Sequence, residues 1–293
     1  MIWVWTMKDK NKYFKDSVIC RNCGLAGHRL VNCKYPTISL GILCYRYNFI
    51  IKRFQYLMVQ RRSSMNMMEI ALGRYSLETP QEIARFRDMV SLITHKEQES
   101  VMSGNYMRIS RHVWDCKTPQ VRDCVVKYYE NNIEKIRKIC ESLPRSHLEE
   151  EWGIPKGRRK LICSDSKSGF HYTTESNKRC ACREFCEETG LVNKNLVLLN
   201  SHGPLQEDYM GIPNNIQYRT IYYLAYLKDN NSNNPVVDHI PVDPQNKCQV
   251  EEIRNVQWMT LEEALDKTDK DKYSDRVALL KNVELFLKKN NCS

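Results

Sequence analysis

Residues 175–191 read ESNKRCACREFCEETGL, and the glycine before the last leucine marks the C-terminal end of a predicted helix. Glu184, Glu187 and Glu188 are spaced i, i+3 and i+4, so their carboxylates leave one face of that helix. Three like charges repel each other unless a cation lies among them, and oxygen ligands of this kind suit Mg²⁺ or Mn²⁺. Arg183 keeps its proton and can orient a neighbouring carboxylate through paired hydrogen bonds. The alternative is an acidic helix face that is merely solvated.

The positive charge of the chain is concentrated at its N-terminal end. The sequence holds 45 Lys and Arg against 35 Asp and Glu, which gives a net charge of +10. Twelve basic residues but only two acidic residues lie in residues 1–62, so this segment accounts for the whole excess. Such a segment favours a polyanionic partner, with nucleic acid as the first candidate. A basic tail that is only solvated is the alternative.

The overall composition is that of a globular protein without membrane spans. Of the 293 residues, 42% are hydrophobic and 27% are charged, which argues against wholesale disorder. No apolar run approaches the roughly 20 residues of a membrane-spanning helix, and the apolar residues 2–5 are too few for a signal peptide. We therefore expect the thirteen cysteines to be reduced thiols or metal ligands, and the protein to be cytoplasmic.

A second cluster of metal-ligand residues lies in the basic segment. Cys20, Cys23, His28 and Cys33 follow the spacing C-x2-C-x4-H-x4-C, and three thiolates with one imidazole fill the four positions around a structural Zn²⁺ ion. A site closed by four protein ligands leaves no open position for catalysis. The spacing resembles the zinc knuckles of nucleic-acid-binding proteins, which bind single-stranded segments. The knuckle is thus expected either to bind RNA or to brace the N-terminal segment.

The rest of the sequence predicts an α/β architecture, α+β in detail, with a helical insertion. Alternating apolar residues predict two early strands, and apolar residues at helical spacing follow from residue 65 to about 148. Strands and then helices return in the C-terminal half, where the polar residues 229–235 are predicted to form a loop. The predicted strands span residues 38–45, 54–60, 195–200, 217–227 and 253–258, and the C-terminal helices span 260–265 and 275–289.

Residues 175–191 resemble the Nudix box of hydrolases that cleave a nucleoside diphosphate linked to another group, here as E-x7-R-E-x2-E-E-x-G-L. Residues 152–158, WGIPKGR, resemble the loop that precedes this box, especially in the mRNA-decapping branch. The spacing departs from the usual pattern because seventeen residues separate Gly157 from Glu175, instead of a short gap. We interpret the difference as a loop insertion that leaves the metal-binding helix intact. The resemblance implies the Nudix fold, in which a mixed sheet lies between helices.

Two further stretches resemble the decapping branch. Residues 68–75, MEIALGRY, are similar to a motif in decapping Nudix enzymes of large DNA viruses, which also carry a helical block before the Nudix loop. Residues 251–258, EEIRNVQW, resemble the segment that carries the general base of decapping enzymes. The chain is accordingly divided into a basic N-terminus with the knuckle at 1–37, first Nudix strands at 38–62, a helical insertion at 63–148, and a catalytic core with C-terminal helices at 149–293.

The resemblance implies a function and a set of site residues. The substrate would be the 5′ cap of mRNA, hydrolysed to 7-methylguanosine diphosphate and 5′-monophosphate RNA. The residues implied at a Mg²⁺ or Mn²⁺ site are Gly157, Glu184, Glu187 and Glu188. The catalytic residues implied are Glu175, Arg183 and a general base, for which Glu252 matches best and Glu251 is second. The basic loop residues that could hold phosphates, or simply be exposed, are Lys156, Arg158, Arg159 and Lys160.

Several questions stay open at the level of the sequence. A cationic methylated guanine needs an aromatic platform, and Tyr45, Phe54, Tyr209 and Tyr218 are candidates that could equally be ordinary core or surface residues. The chain could instead hydrolyse small substrates such as dinucleotide polyphosphates or diphosphoinositol polyphosphates, or be an RNA-binding protein with an inactive Nudix domain. The basic N-terminus favours capped mRNA, and the complete acidic helix favours activity. The sequence does not indicate an oligomeric state.

Overall fold

The chain folds around a mixed β-sheet, seen in a computed structural model that describes residues 18–110, 119–166, 169–211, 215–228 and 237–291. The basic residues before Val18 and the polar loop predicted at 229–235 lie outside the described residues. Among the residues that are described, no helix is both long and apolar enough to span a bilayer.

The sheet is mixed because one of its central strand pairs is parallel. The strands are β1 (Thr37–Asn48), β2 (Arg53–Arg61), β3 (Trp152–Gly153), β4 (Lys156–Gly157), β5 (Leu161–Ser166), β6 (Gly169–Thr174), β7 (Leu196–Leu198), β8 (Leu205–Met210), β9 (Gln217–Leu227), β10 (His239–Ile240) and β11 (Ile253–Thr260). All of these strands except β5 and β6 belong to this sheet. The main path is β10-β11-β2-β1-β9-β7, joined by β3, β4 and β8. Strands β1 and β9 run parallel, and the other pairs are antiparallel.

Within the described residues, six helices form a packed block between β2 and β3. They are α1 (Met65–Ala71), α2 (Pro80–Ser91), α3 (His95–Met102), α4 (Tyr106–Ser110), α5 (Pro119–Asn131) and α6 (Ile133–Glu141). Thr79 and Thr94 begin α2 and α3 with capping boxes, which satisfy backbone N–H groups at the helix starts. The block has a core of its own that includes Phe86, Tyr129 and Ile136. The sequence therefore predicted the helical insertion correctly.

Helices cover both faces of the sheet, as expected for the Nudix fold. They are α7 (Asn177–Thr189), α8 (Lys247–Glu252), α9 (Leu261–Asp266) and α10 (Ser274–Asn291). Tyr56 and Met58 of β2 pack on the face that α9 and α10 cover, whereas Leu57 and Val59 pack on the face of α7, because successive strand residues point to opposite sides. Helix α8 lies beside α7.

The early strands anchor the loop that precedes the acidic helix. Leu40 and Gly41 of β1 pair with Gly157 and Lys156 of β4. Position 41 must be glycine at this contact, since a Cβ there would lie 2.3 Å from the carbonyl oxygen of Pro155. The strands predicted at 38–62 and the core predicted at 149–293 thus share one sheet.

Besides the two-residue strands β3, β4 and β10, the elements missed at the level of the sequence are β8, α8 and the hairpin of β5 and β6. The hairpin strands pair only with each other, and their sequence mixes Ser, Asp, His and Thr with few apolar residues, so no alternation marked them. The strand predicted at 195–200 is shorter, Leu196–Leu198, because a 3₁₀ turn at Asn193–Asn195 precedes it.

Candidate active site

Helix α7 presents its acidic side chains to the β4 loop because its other side is buried. Cys180, Ala181 and Phe185 are fully buried against the sheet. Ser176 caps the helix start by accepting a hydrogen bond from a backbone N–H of the first turn. Gly190 ends the helix at φ +73°, a left-handed conformation that glycine adopts without strain.

Arg183 lies at the centre of the carboxylate cluster. Its Nε and Nη2 donate to the two carboxylate oxygens of Glu175 at 2.8 and 2.7 Å, which forms a bidentate pair. Its Nη1 lies 2.7 Å from Glu184 and 2.7 Å from Glu187. The hydrogen bonds from Arg183 hold the pKa of Glu175 below its ordinary value. Glu175 is therefore ionised at neutral pH and fixes the orientation of the guanidinium.

Gly157 allows Glu184 to lie directly against the loop. A Cβ at position 157 would be 2.1 Å from Cδ of Glu184, so a side chain at this position would displace that carboxylate. Burial raises the pKa of Glu184, Arg183 opposes that shift, and the charges of Glu187 and Glu252 add to it. A buried carboxylate that is only partly neutralised is the environment that a bound cation would relieve.

Glu188 is the most buried carboxylate of the cluster, and 5% of its surface is exposed. Its Oε2 accepts the backbone N–H of Lys156 at 2.8 Å. Burial raises the pKa of Glu188 against the opposing charges of Arg61 and Lys156. Burial also lowers the pKa of Lys156. Each partner is pushed toward its neutral form, as expected when two charges are withdrawn from water.

The residues inserted before Glu175 form the hairpin of β5 and β6, and the hairpin closes on itself. The N–H of Lys160 donates to Glu175 Oε2 at 2.9 Å, and the N–H of Glu175 donates to the carbonyl of Lys160 at 3.2 Å. Lys160 Nζ also lies 2.9 Å from Glu187. The insertion thus leaves Glu175 beside Arg183.

Glu251 and Glu252 end α8 near the carboxylate cluster. Glu252 is exposed, and its charge contributes to the raised pKa of both Glu184 and Glu188. Glu251 instead lies 3.7 Å from Lys247 of its own helix. Of the two candidates for a general base, Glu252 is the one whose charge acts on the acidic cluster.

The four basic loop residues are placed in different environments. Arg158 is exposed, and its carbonyl accepts a hydrogen bond from Arg183 at 3.0 Å. Lys160 is paired with Glu187, and Lys156 is partly buried. Arg159 is 7% exposed and donates to the carbonyl of Asn22 and to Asn177 Oδ1. Sequence reasoning missed these contacts of Arg159, because no local pattern reports a partner 137 positions away.

The predicted zinc ligands meet in space. Within the part of the chain that the structure describes, Cys20, Cys23, His28 and Cys33 are the group of potential metal ligands whose atoms converge, all within 4.8 Å of one another. Although burial acts in the opposite direction, hydrogen bonds from Asn22 and His28 lower the pKa of Cys33 to about 6. The thiolate is the form that binds Zn²⁺, so the donor set fits this ion.

A cleft of about 660 Å³ lies between the helical block and the sheet. Tyr209 and Tyr218 in its wall are stacked, with ring centroids 5.1 Å apart and planes 9° apart, and Tyr273 meets Tyr209 edge-on. Arg158 is close enough to both stacked tyrosines for them to affect its pKa. The acidic side chains of the lining outnumber its basic ones; they are Glu69, Glu149, Glu150, Glu151, Asp266, Asp269 and Asp271, against Lys267 and Lys272.

Only two of the four aromatic candidates line this cleft. Phe54 is buried in the sheet core, and Tyr45 packs against the same core. Tyr209 and Tyr218 remain as the candidates for base stacking. The acidic residues 149–151, just before Trp152, were the one feature of the sequence that could have indicated the cleft. Only the tertiary structure brings Tyr273 into the same lining.

Comparisons with known proteins identify one domain and several relatives of this chain. Residues 137–280 match the NUDIX domain. The chain is 24% identical to the "Putative mRNA-decapping protein" of Acanthamoeba polyphaga mimivirus, over 94% of this chain and 95% of the relative. It is 23% identical to mRNA-decapping protein g5R of African swine fever virus, over 76% of this chain and 85% of the relative. A crystal structure of a C. elegans Ap4A hydrolase binary complex aligns with a TM-score of 0.40 and 13% identity, over 86% and 98% of the two chains. The chain therefore contains a NUDIX domain and is similar to mRNA-decapping proteins of large DNA viruses.

Proposed function

We propose that the protein is a metal-dependent hydrolase of the 5′ cap of mRNA, which it cleaves to 7-methylguanosine diphosphate and 5′-monophosphate RNA. The similarity to the mimivirus relative supports this substrate because it extends over nearly the full length of both proteins and not over the NUDIX domain alone. Since mRNA is translated in the cytoplasm, we place the activity in the host cytoplasm.

The observation that carries the proposal is the position of Arg158 between two unlike environments. Its carbonyl contacts Arg183 at the carboxylate cluster, and its guanidinium is within electrostatic range of Tyr209 and Tyr218, which line the acidic aromatic cleft. A cap has the same order of parts: a polyphosphate bridge joined to a cationic base. The exposed guanidinium would bind the bridge, the carboxylates would lie at the cleaved phosphate, and the base would enter the cleft.

The cleft suits a methylated guanine for two physical reasons. A cationic aromatic ring stacks well on a tyrosine face, where the electrostatic attraction adds to dispersion. Four of the seven acidic residues in the lining form ion pairs, and the other three, Asp266, Asp269 and Asp271, add attraction for the same positive charge. The cleft volume is within the range of small-molecule sites. A neutral adenine, as in a dinucleotide polyphosphate, would gain from the stacking alone.

The carboxylates of Glu184, Glu187 and Glu188 are the donors that would hold Mg²⁺ or Mn²⁺, because these ions prefer oxygen ligands and retain waters. A bound divalent cation would neutralise the bridge phosphates and lower the pKa of a coordinated water. Gly157 gives Glu184 the space that it needs beside the loop. Arg183, held by Glu175, keeps Glu184 and Glu187 on the same side of the helix.

Glu252 is our candidate for the general base. Its carboxylate is exposed and acts electrostatically on Glu184 and Glu188, so it can accept a proton from a water in front of the cluster. The zinc knuckle, with the basic N-terminal segment, would hold the body of the RNA. Exposed Leu25 and Val31 on the knuckle are suited to contact unpaired bases.

The test uses RNA whose cap is radiolabelled at the phosphate next to the methylated guanosine. With Mg²⁺ or Mn²⁺ present, we expect release of labelled 7-methylguanosine diphosphate, and we expect none from the Glu188→Gln variant. Uncapped RNA should compete, because it would occupy the basic segment. No release at micromolar enzyme, together with turnover of diadenosine tetraphosphate or of a diphosphoinositol polyphosphate, would contradict the proposal.

A further inference from the structure

Arg159 connects the zinc knuckle to the catalytic helix through a buried side chain. Its Nη1 donates to the backbone carbonyl of Asn22, which lies between the zinc ligands Cys20 and Cys23 in the sequence. Its Nη2 donates to Oδ1 of Asn177, in the first turn of α7, at 2.6 Å. A guanidinium has donors in a fixed planar arrangement, so two acceptors on different elements determine its position.

The neighbours of Arg159 in the loop all contact the active-site residues through their backbone. Position 157 has no side chain and accommodates Glu184, the carbonyl of Arg158 accepts from Arg183, and the N–H of Lys160 donates to Glu175. Within residues 157–160, Arg159 is the one whose side chain contacts the knuckle. A shift of Arg159 would therefore move three contacts that hold the catalytic carboxylates and their arginine.

The knuckle is docked on the catalytic domain by further contacts. Asn22 is 5% exposed, its Oδ1 accepts the N–H of Ile38, and its Nδ2 donates to the carbonyl of Pro36, at the start of β1. A Cβ at Gly24 would lie 3.4 Å from Thr174 Oγ1, so the knuckle also lies against the end of β6. A module tethered only to capture RNA would not need these buried contacts.

The orientation of the Asn22 carbonyl depends on the turn that the metal would close. The N–H of Gly24 donates to the carbonyl of Cys20, and the N–H of Cys20 donates to the carbonyl of Leu25, both at 2.8 Å. Zinc bound to Cys20 and Cys23 would lock this turn, as structural zinc does in small domains. Loss of the metal would release the turn and with it the acceptor of Arg159.

We infer that the zinc knuckle is a structural part of the active site and that Arg159 is the positioning residue that connects them. Zinc at a site distant from the chemistry then sets the turnover of the NUDIX domain, even for a substrate that has no RNA body. Only the kinetic measurements of this inference rest on the proposed function. The connection between the knuckle and the active site should also change Mn²⁺ affinity and amide exchange, which can be measured without turnover.

The experiment measures hydrolysis of the cap dinucleotide m7GpppG, which is too short to report on RNA held by the knuckle. We expect Arg159→Gln to lower kcat by about 10–100-fold and to leave KM within about twofold. This is the range found for residues that orient metal ligands without binding the metal themselves. Asn177→Ala removes the acceptor on α7 without touching the knuckle and should lower kcat in the same direction. Arg179→Gln is the matched control, since Arg179 is exposed in the same helical turn, and it should leave kcat unchanged.

A double-mutant cycle distinguishes coupling from two separate defects. Cys23→Ser should lower kcat about as much as Arg159→Gln, and the double variant should lose no more than either one, since both act through one contact. Arg159→Lys, which retains the charge and one donor, should recover part of the rate.

Two readouts do not depend on turnover. In Arg159→Gln and in Cys23→Ser, the Mn²⁺ affinity measured by electron paramagnetic resonance should fall, and the amide of Lys160 should exchange faster with deuterium. Amides of the helical block should exchange as in the wild type, which excludes global unfolding. Unchanged kcat, Mn²⁺ affinity and Lys160 exchange in the two variants would overturn the inference. If the wild type does not cleave m7GpppG, Mn²⁺ affinity and Lys160 exchange decide the coupling, and cleavage of long capped RNA decides the proposed function separately.

Discussion

Glu175 Oε2 accepts the backbone N–H of Lys160 at 2.9 Å, although the two residues are fifteen positions apart in the sequence. The hairpin of β5 and β6 begins directly after Lys160 and ends directly before Glu175, so its two ends lie side by side. Glu175 can therefore form its bidentate pair with Arg183 despite the insertion. The position of Glu175 is determined by this closure and not by the length of the segment before it.

Shortening the hairpin should consequently preserve activity. A variant in which a short glycine-containing turn replaces residues 162–173 keeps Lys160, Glu175 and their hydrogen bonds. Because the entropy of closing a loop changes slowly with its length, we expect kcat on capped RNA to stay within about threefold of the wild type. A loss of more than about tenfold at unchanged Tm would instead mean that the hairpin contacts the substrate.

Replacing Arg183 with lysine should impair turnover although the charge is retained. An ammonium group cannot donate in parallel to both oxygens of Glu175 while contacting Glu184 and Glu187. We expect kcat to fall by about 10–100-fold and the Mg²⁺ concentration for half-maximal rate to rise. Arg179→Lys, in the exposed first turn of the same helix, is the control and should behave as the wild type.

The stability of the protein without Mg²⁺ should fall as the pH rises, in part because of Glu188. Burial raises its pKa in the folded state, so the folded protein binds this proton more tightly than the unfolded chain does. The penalty is absent below the unfolded pKa of about 4.3 and grows as the pH rises through the higher folded value. Glu188→Gln should therefore raise Tm relative to the wild type at pH 8, by about 2–4 °C for each kcal/mol recovered, and much less at pH 5.

Thermal unfolding of zinc-loaded protein at the two pH values measures this difference. Mg²⁺ should stabilise the wild type at pH 8 but not Glu188→Gln. Glu187→Gln serves as a comparison of opposite sign, because it removes ion pairs with Arg183 and Lys160 and should lower Tm at pH 8. Equal Tm values for the wild type and Glu188→Gln at pH 8 would show that the buried carboxylate carries no such penalty.

The two glutamates at the end of α8 should differ in their effect on the rate. Glu252→Gln is expected to lower kcat by about 10²–10⁴-fold, as loss of a general base does. Glu251→Gln should stay within about threefold, since Glu251 lies beside Lys247 and not at the cluster. A larger effect of Glu251→Gln would assign the base to that residue.

Local sequence patterns predicted the parts of the site that lie on one element. The spacing of Glu184, Glu187 and Glu188 gives their common face directly, because the period of a helix is fixed. The four predicted zinc ligands lie within fourteen residues, so their spacing was equally informative. Their convergence to within 4.8 Å followed from that spacing.

Contacts between distant segments could not be predicted in this way. The hydrogen bond from Arg159 to Asn22 joins residues that no periodic pattern relates, and Arg159 looked like one more exposed phosphate ligand. Likewise, the sequence does not distinguish Tyr218 from Tyr45. In the folded sheet Tyr45 packs against the core, whereas Tyr218 lines the cleft beside the helical block. Such choices depend on tertiary packing, and a single sequence does not record it.

Substitution of Tyr218 by leucine should weaken selection of the methylated cap. Tyr218 is stacked on Tyr209 in the wall of the acidic cleft, and a leucine fills similar space without an aromatic face. Stacking of a base on an aromatic side chain is worth about 1–3 kcal/mol, so we expect KM for methylated capped RNA to rise by about tenfold or more. The chemical step should be unaffected, since the carboxylates proposed to bind the metal are not touched, and kcat should remain near the wild-type value.

The discriminating measurement is the ratio of kcat/KM for methylated over unmethylated capped RNA. We expect this ratio to be well above one in the wild type and to fall toward one in Tyr218→Leu, because the cationic ring gains most from the tyrosine face. Tyr226→Leu is the matched control, since Tyr226 lies on the same strand β9 but outside the cleft. If both variants changed the ratio equally, or if kcat alone fell, the base would bind elsewhere, and the cleft would lose its assigned ligand.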